Sequence, residues 1–136
     1  MGTSSVSEYL LEIRLNKSQP NKLKDWTQKF MVTKPVLFIL KMPFEDKDLP
    51  STNKDGWFCT HCAMIEGALS INPHWLDHIE VRRIDHTKPR TEVIEYLGKE
   101  NQWLPVLIIN DTENLTDPKE ITSYLANHFG GAAPHP

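Results

Sequence analysis

The order of apolar runs and amphipathic stretches in this chain predicts an α/β fold, a mixed central sheet with helices on both faces. Three observations carry that expectation. Val36-Leu37-Phe38-Ile39-Leu40, opened by Pro35, is an unbroken apolar run of the kind buried on both faces of a sheet. Helix-like and strand-like patterns then alternate as far as Leu97. Finally, Leu104–Ile109 and Leu115-Thr116, separated by the turn pair Asn110-Asp111, read as a weak hairpin leading into a terminal helix.

Taken in order, Tyr9–Leu15 is ambiguous: Leu11, Ile13 and Leu15 alternate as in a strand, but Leu10 adjoins them and the segment is short. Lys22–Val32 places Leu23, Trp26, Phe30 and Met31 at helical spacing. Residues 1–33 are therefore either an N-terminal extension or the first strand and helix of the fold. Met42–Trp57, with Pro43, Pro50 and Gly56 among acids and lysines, reads as a long loop. Cys59–Ile71 reads as a helix with Cys62, Ile65, Ala68 and Leu69 on its apolar stripe, stopped by Asn72-Pro73. His78–Asp85 is a second strand, weakened by Arg82-Arg83. Pro89–Leu97 is a short helix closed by Gly98. Asp117 caps a last helix, Pro118–Phe129, with Ile121, Tyr124, Leu125 and Phe129 on one face. Gly130–Pro136 is expected as a flexible tail.

Length and composition bound the function. A chain of 136 residues, 39% hydrophobic and 24% charged, suits one globular domain. A net charge of −3 without a long basic run argues against nucleic-acid binding. No stretch approaches the roughly 20 apolar residues of a membrane span. The N-terminal MGTSSVSEYL has neither the basic start nor the apolar core of a secretory signal, and Val6 stands where myristoylation requires Ser or Thr. A cytoplasmic location follows as the expectation, with no membrane partner.

In that compartment thiols are kept reduced, and the only two cysteines, Cys59 and Cys62, are too close in sequence for a bridge to stabilise the fold much. Their chemistry depends on the helix they open. Free amides and the macrodipole at a helix N-terminus favour a thiolate at Cys59 over the thiol. Cys59 is the candidate nucleophile and Cys62, one turn further in, the candidate resolving thiol. His61, between them, adds positive charge beside the thiolate if protonated, or is simply an exposed helix residue. Half a zinc site is the competing reading of the pair. Structural zinc wants four ligands, and His61, His74, His78 and His86 repeat no ligand spacing, so no metal is expected.

These features together resemble the thioredoxin superfamily over residues 34–129. The apolar strand precedes Cys59-Thr60-His61-Cys62, and Leu104-Pro105-Val106-Leu107 follows with a step of 46 residues from Cys59 to Pro105. Leu115-Thr116-Asp117 then leads the terminal helix. More narrowly, Pro43-Phe44-Glu45-Asp46, the stretch Phe58–Gly67 around the cysteines and Leu104–Leu107 resemble a bacterial thioredoxin- and glutaredoxin-like family of unassigned function. The superfamily resemblance implies a thioredoxin-like fold and a cis Pro105 beside the dithiol, where the strand edge pairs with substrate. Thr60, Leu104 and Pro105 are thus substrate-binding candidates. Leu104–Ala126 is also similar to the glutathione-binding half of glutathione transferases and glutaredoxins, in which an acidic residue at the position of Asp117 holds the glutathione amino group.

The departures are specific. Phe58 replaces the tryptophan that thioredoxins carry before the first cysteine, no proline separates the cysteines, and strand residues Val36–Leu40 lack the buried aspartate. The loop Met42–Trp57 is an insertion beside the thiol, either a lid whose Glu45, Asp46 and Asp48 favour basic partners or a solvated excursion. Three functions follow from the resemblance. The first is a thiol–disulfide oxidoreductase acting on a protein or small-molecule disulfide, with no cofactor required. The second is a glutathione-binding or redox-sensing protein without turnover, and the third an adaptor with a vestigial dithiol.

Overall fold

The computed structural model describes residues 34–49 and 53–136; the strand expected in Tyr9–Leu15 and the helix expected in Lys22–Val32 lie outside them. Within them the order is β1 (Val36–Leu40), α1 (Thr60–Ile71), a 3-10 turn (Pro73–Asp77), β2 (Glu80–Ile84), α2 (Thr91–Leu97), β3 (Val106–Ile108), β4 (Asn114–Leu115) and α3 (Pro118–Phe129). This is the expected alternation followed by a hairpin and a helix.

The four strands form one mixed sheet in the order β2-β1-β3-β4. β1 pairs in parallel with β2, Val36 opposite Glu80 and Leu40 opposite Ile84. β3 runs antiparallel to β1 with Val36 opposite Ile108, and β4 antiparallel to β3. The parallel pair needs a crossover, which α1 and the 3-10 turn supply.

Alternation along β1 divides the core. Leu37 and Ile39 pack with Leu107, with Cys62, Ile65 and Leu69 of α1, with Trp75, and with Ile121 and Leu125 of α3. Val36 and Phe38 pack on the other face with Ile84, Val106, Ile108 and Val93 of α2. Helices therefore cover both faces, and every β1 residue is buried. That explains why β1 reads as continuous apolar sequence while β2, at the edge of the described sheet, does not.

The arginine pair that weakened β2 is accommodated at the edge of the described sheet. The Arg82 guanidinium lies 5.6 Å from the Phe38 ring centroid and bonds Glu80 at 3.0 Å. Arg83 points to the opposite face and grips Glu66 of α1 through two bonds of 2.8 and 2.7 Å. That pairing holds the Glu66 carboxyl below its usual value.

Element ends differ from expectation for local reasons. β3 starts at Val106 because Pro105 has no N–H to give the ladder. α2 starts at Thr91, since the Arg90 amide is turned to the Gln102 side chain at 2.8 Å and Arg90 becomes the N-cap. α3 begins and ends as expected: Asp117 Oδ2 accepts the Glu120 amide at 3.0 Å, and Gly130 takes the left-handed φ of 78° that ends the helix.

The segment expected as a flexible tail is tied down at its start. Trp75 Nε1 donates to the Gly130 carbonyl at 2.7 Å. The buried Asn72 amide accepts from the Ala132 N–H at 2.7 Å and donates to the Ala132 and Ala68 carbonyls. Gly131 lies so close that an added Cβ would overlap Asn72 Oδ1. Apolar patterning could not announce this tether, because backbone polar groups make it. No described helix is long and apolar enough to cross a membrane.

Asn72→Ala removes the three bonds that this side chain makes and releases the Ala132 backbone from the body of the fold, for a loss of about 1–3 kcal/mol. Urea unfolding reads the loss, and hydrogen exchange at the Ala132 amide becomes fast in the variant.

Candidate functional site

Beyond Leu40 the chain does not turn away from α1 but runs back along the segment that opens it. Leu40, Met42 and Phe44, alternate residues, meet Cys62, Cys59 and Trp57 in reverse order. The Leu40 amide donates to Cys62 Sγ at 3.4 Å. Met42 Sδ accepts the Cys59 amide at 3.2 Å. Phe44 and Trp57 exchange backbone bonds of 2.9 and 2.8 Å. The long loop is thereby closed at its base, so its length does not loosen the cysteines. Gly56 is needed there: its φ is 85° and a Cβ would stand 3.1 Å from the Phe44 carbonyl oxygen.

The loop base is also braced from the turn after β2. The His86 ring stacks on Phe44 with centroids 4.5 Å apart, and its Nε2 lies 3.8 Å from Asp46. Arg90 donates to the His86 carbonyl through Nε and one terminal nitrogen, at 3.1 and 2.7 Å, and to the Gln102 carbonyl at 2.6 Å. One buried guanidinium thus ties the turn before α2 to the segment leading into Leu104-Pro105.

Cys59 is the N-cap of α1, with φ −78° and ψ 121°, and its Sγ accepts the Cys62 amide at 3.2 Å. Its carbonyl accepts the Ala63 amide at 2.8 Å. A sulfur here does what a Ser or Asp oxygen does at other N-caps, and it does so better as a thiolate. Cys59 is partly accessible whereas Cys62 is fully buried, and both are free thiols. Burial pushes the Cys62 thiol up from 9.0 to about 12, against a partial offset from the Leu40 amide. The two cysteines therefore have different surroundings: one sulfur reachable at a helix N-terminus, the other enclosed and held as thiol.

No described carboxylate is buried; the buried polar side chains are Asn72, Arg90 and Thr122. Arg90 has carbonyl partners and no described carboxylate. Burial lowers its guanidinium below the usual value, while negative charge on Cys62 acts in the opposite direction.

The other expected site residues fall as follows. Thr60 and His61 are exposed on the first turn of α1, and the His61 ring bonds no described residue. Leu104 is half-buried against both core clusters, and Pro105 is buried. The Leu104–Pro105 peptide bond is cis, as the resemblance implies; Met42–Pro43 and Lys88–Pro89 are cis as well. Asp117 is exposed and engaged as the α3 cap. Phe58 and Trp103, next to Cys59 and Leu104 in the chain, are exposed large aromatics. The described residues hold no group of three or more His, Cys, Asp or Glu placed to bind a metal ion.

Met42 and Arg90 are site neighbours that patterning did not single out, and His86, weighed there only as a zinc ligand, is a third. Arg90 carried one signal, a lone arginine between a proline and a helix start. Met42 carried none, because its partner is a backbone amide 17 residues away.

Fold and site thus define an α/β protein whose described strands form one mixed four-stranded sheet, with an unbridged cysteine pair at the N-terminus of its first described helix. A family model described as a protein of unknown function, DUF3088, matches residues 34–133, and the chain belongs to that family. No curated protein and no solved structure matches it.

In folded protein at pH 8, iodoacetamide modifies Cys59 and spares Cys62 until denaturant is added, which mass mapping of the two thiols resolves. The contribution of the Cys62 thiol to stability is full below its unfolded value near 9.0 and falls as pH rises toward about 12, because only the unfolded state releases that proton early. Denaturation midpoints measured from pH 8 to 11 decline accordingly, and a Cys62→Ala protein loses that slope.

Proposed function

We propose that this protein is a thiol–disulfide oxidoreductase of the thioredoxin superfamily, with Cys59 as nucleophile and Cys62 as resolving thiol. The observation that carries the reading is the asymmetry of the pair: Cys59 Sγ accepts an amide at the α1 N-terminus, while Cys62 is enclosed behind it. The strand order, with β3 antiparallel to β1 and helices on both faces, agrees with the thioredoxin-like fold and supports the same reading. A reducing, cytoplasmic setting belongs to the proposal, as the compartment in which such a dithiol is returned to its thiol form.

The reaction runs in two exchanges. The Cys59 thiolate attacks one sulfur of a disulfide substrate, forming a Cys59–substrate disulfide and releasing the other substrate sulfur as thiolate. Cys62 then gives up its proton and attacks Cys59 Sγ, forming the Cys59–Cys62 disulfide and releasing the second substrate thiolate. Two electrons pass to the substrate, and a thiol reductant restores the dithiol. Without a buried carboxylate among the described residues to take the Cys62 proton, the departing substrate thiolate is its natural acceptor. The Leu40 amide, which already donates to Cys62 Sγ, is placed to stabilise the charge that appears as Cys62 ionises. Asp117 serves the fold as a cap, so glutathione contact at that residue is not needed by the reading.

Insulin reduction by dithiothreitol, followed by turbidity, tests this. Wild-type protein accelerates it, Cys59→Ser is inactive, and Cys62→Ser accumulates a mixed disulfide visible by mass spectrometry. Equal rates for wild type and Cys59→Ser would sink the proposal. Saturable glutathione binding without any acceleration would favour the sensor function instead.

A further inference from the structure

Three sulfurs each accept one backbone amide at the dithiol: Cys62 from Leu40, Cys59 from Cys62, and Met42 from Cys59. The first two bonds involve the reacting thiols. The third involves a thioether that takes no part in exchange, and we infer that Met42 is a positioning residue for Cys59. The inference rests on the reading of Cys59 as nucleophile and adds the residue that holds it in a reactive geometry.

The argument starts from the orphan amides of a helix start. As N-cap, Cys59 keeps extended φ and ψ so that its sulfur can reach the Cys62 amide. That conformation aims its own N–H away from the helix, toward the turn of chain after β1. The site is half-buried, so the N–H needs a protein partner. The thioether sulfur of Met42 supplies it at 3.2 Å.

Met42 is itself held in place. The preceding residue, Lys41, donates its amide to the Ile84 carbonyl at 2.8 Å, which continues the β1–β2 ladder past Leu40. Two residues on, Phe44 is locked to Trp57 on one side and to His86 on the other. The methionine therefore sits between two anchored points and fixes the peptide plane that leads into Cys59. Losing the acceptor frees that plane, weakens the Cys62 N–H to Cys59 Sγ bond, and lets the sulfur leave the position in which it is presented to a substrate.

A chemical series separates acceptor from bulk. Met42→Leu keeps an apolar side chain of similar volume without the acceptor, and Met42→Gln keeps the length and restores an acceptor as an oxygen. The readout is the rate of Cys59 alkylation by iodoacetamide from pH 5 to 9, with thermal melts run on the same samples. It does not depend on disulfide turnover, so it fails or stands separately from the insulin assay. In Met42→Leu the alkylation rate at pH 7 falls by about three- to tenfold, the size expected for one lost hydrogen bond that held the sulfur in place. Met42→Gln stays within about twofold of wild type, because the oxygen takes over the amide. Unchanged profiles in both variants would overturn the inference. Equal slowing in both would overturn it too, since that outcome assigns the effect to packing.

Discussion

Strand β1 is buried on both faces and paired on both edges, and the position of every other described element follows from that. Its five side chains are divided between the two halves of the core, while its backbone takes β2 on one side and β3 on the other. A strand in this position cannot shift register by one residue without exchanging Leu37 and Ile39 for Val36 and Phe38 between two differently shaped cores. The last residue of so constrained a strand is a fixed point. Leu40 is that residue, and its amide is the one that Cys62 Sγ accepts.

The dithiol thus inherits its geometry from the sheet rather than from the helix alone. A helix N-terminus favours a thiolate wherever it lies, but it does not decide which sulfur is enclosed. That choice comes from α1 packing its Cys62, Ile65 and Leu69 face against Leu37 and Ile39. The continuation of β1 through Met42 and Phe44 adds a second line of contact, and the pairing of Phe44 with Trp57 isolates the long loop from the residues that follow it. An excursion of this length costs little in closure entropy once its two ends are joined in this way. The loop's acidic residues Glu45 and Asp48 then project into solvent without disturbing Cys59.

Electrostatically the site differs from one built around a buried acid. The described core holds a buried arginine satisfied by carbonyls, and no buried carboxylate. A guanidinium without an anionic partner is costly to bury, and the cost is offset by hydrogen bonds that also join the turn at His86 to the segment before Leu104-Pro105. At Cys62 it is the Leu40 amide that opposes the desolvation holding that thiol protonated. Burial still dominates, which is why Cys62 remains a thiol.

By itself the sequence determined the element order, the dithiol at a helix start, and the helix caps at Asp117 and Gly98, because these depend on residue type and periodicity within a few positions. Val36–Leu40 had to be a central strand since no other arrangement buries five consecutive apolar residues so simply. The cysteines were visible as a pair, and their placement at a helix N-terminus named the accessible one. Tertiary structure decided the rest through backbone groups that carry no residue signature. The Cys59 amide meeting Met42, the Leu40 amide meeting Cys62 and the Ala132 backbone meeting Asn72 join residues distant in the chain. Nearly every residue offers the same N–H and C=O, so only the folded chain determines which side chain each will meet.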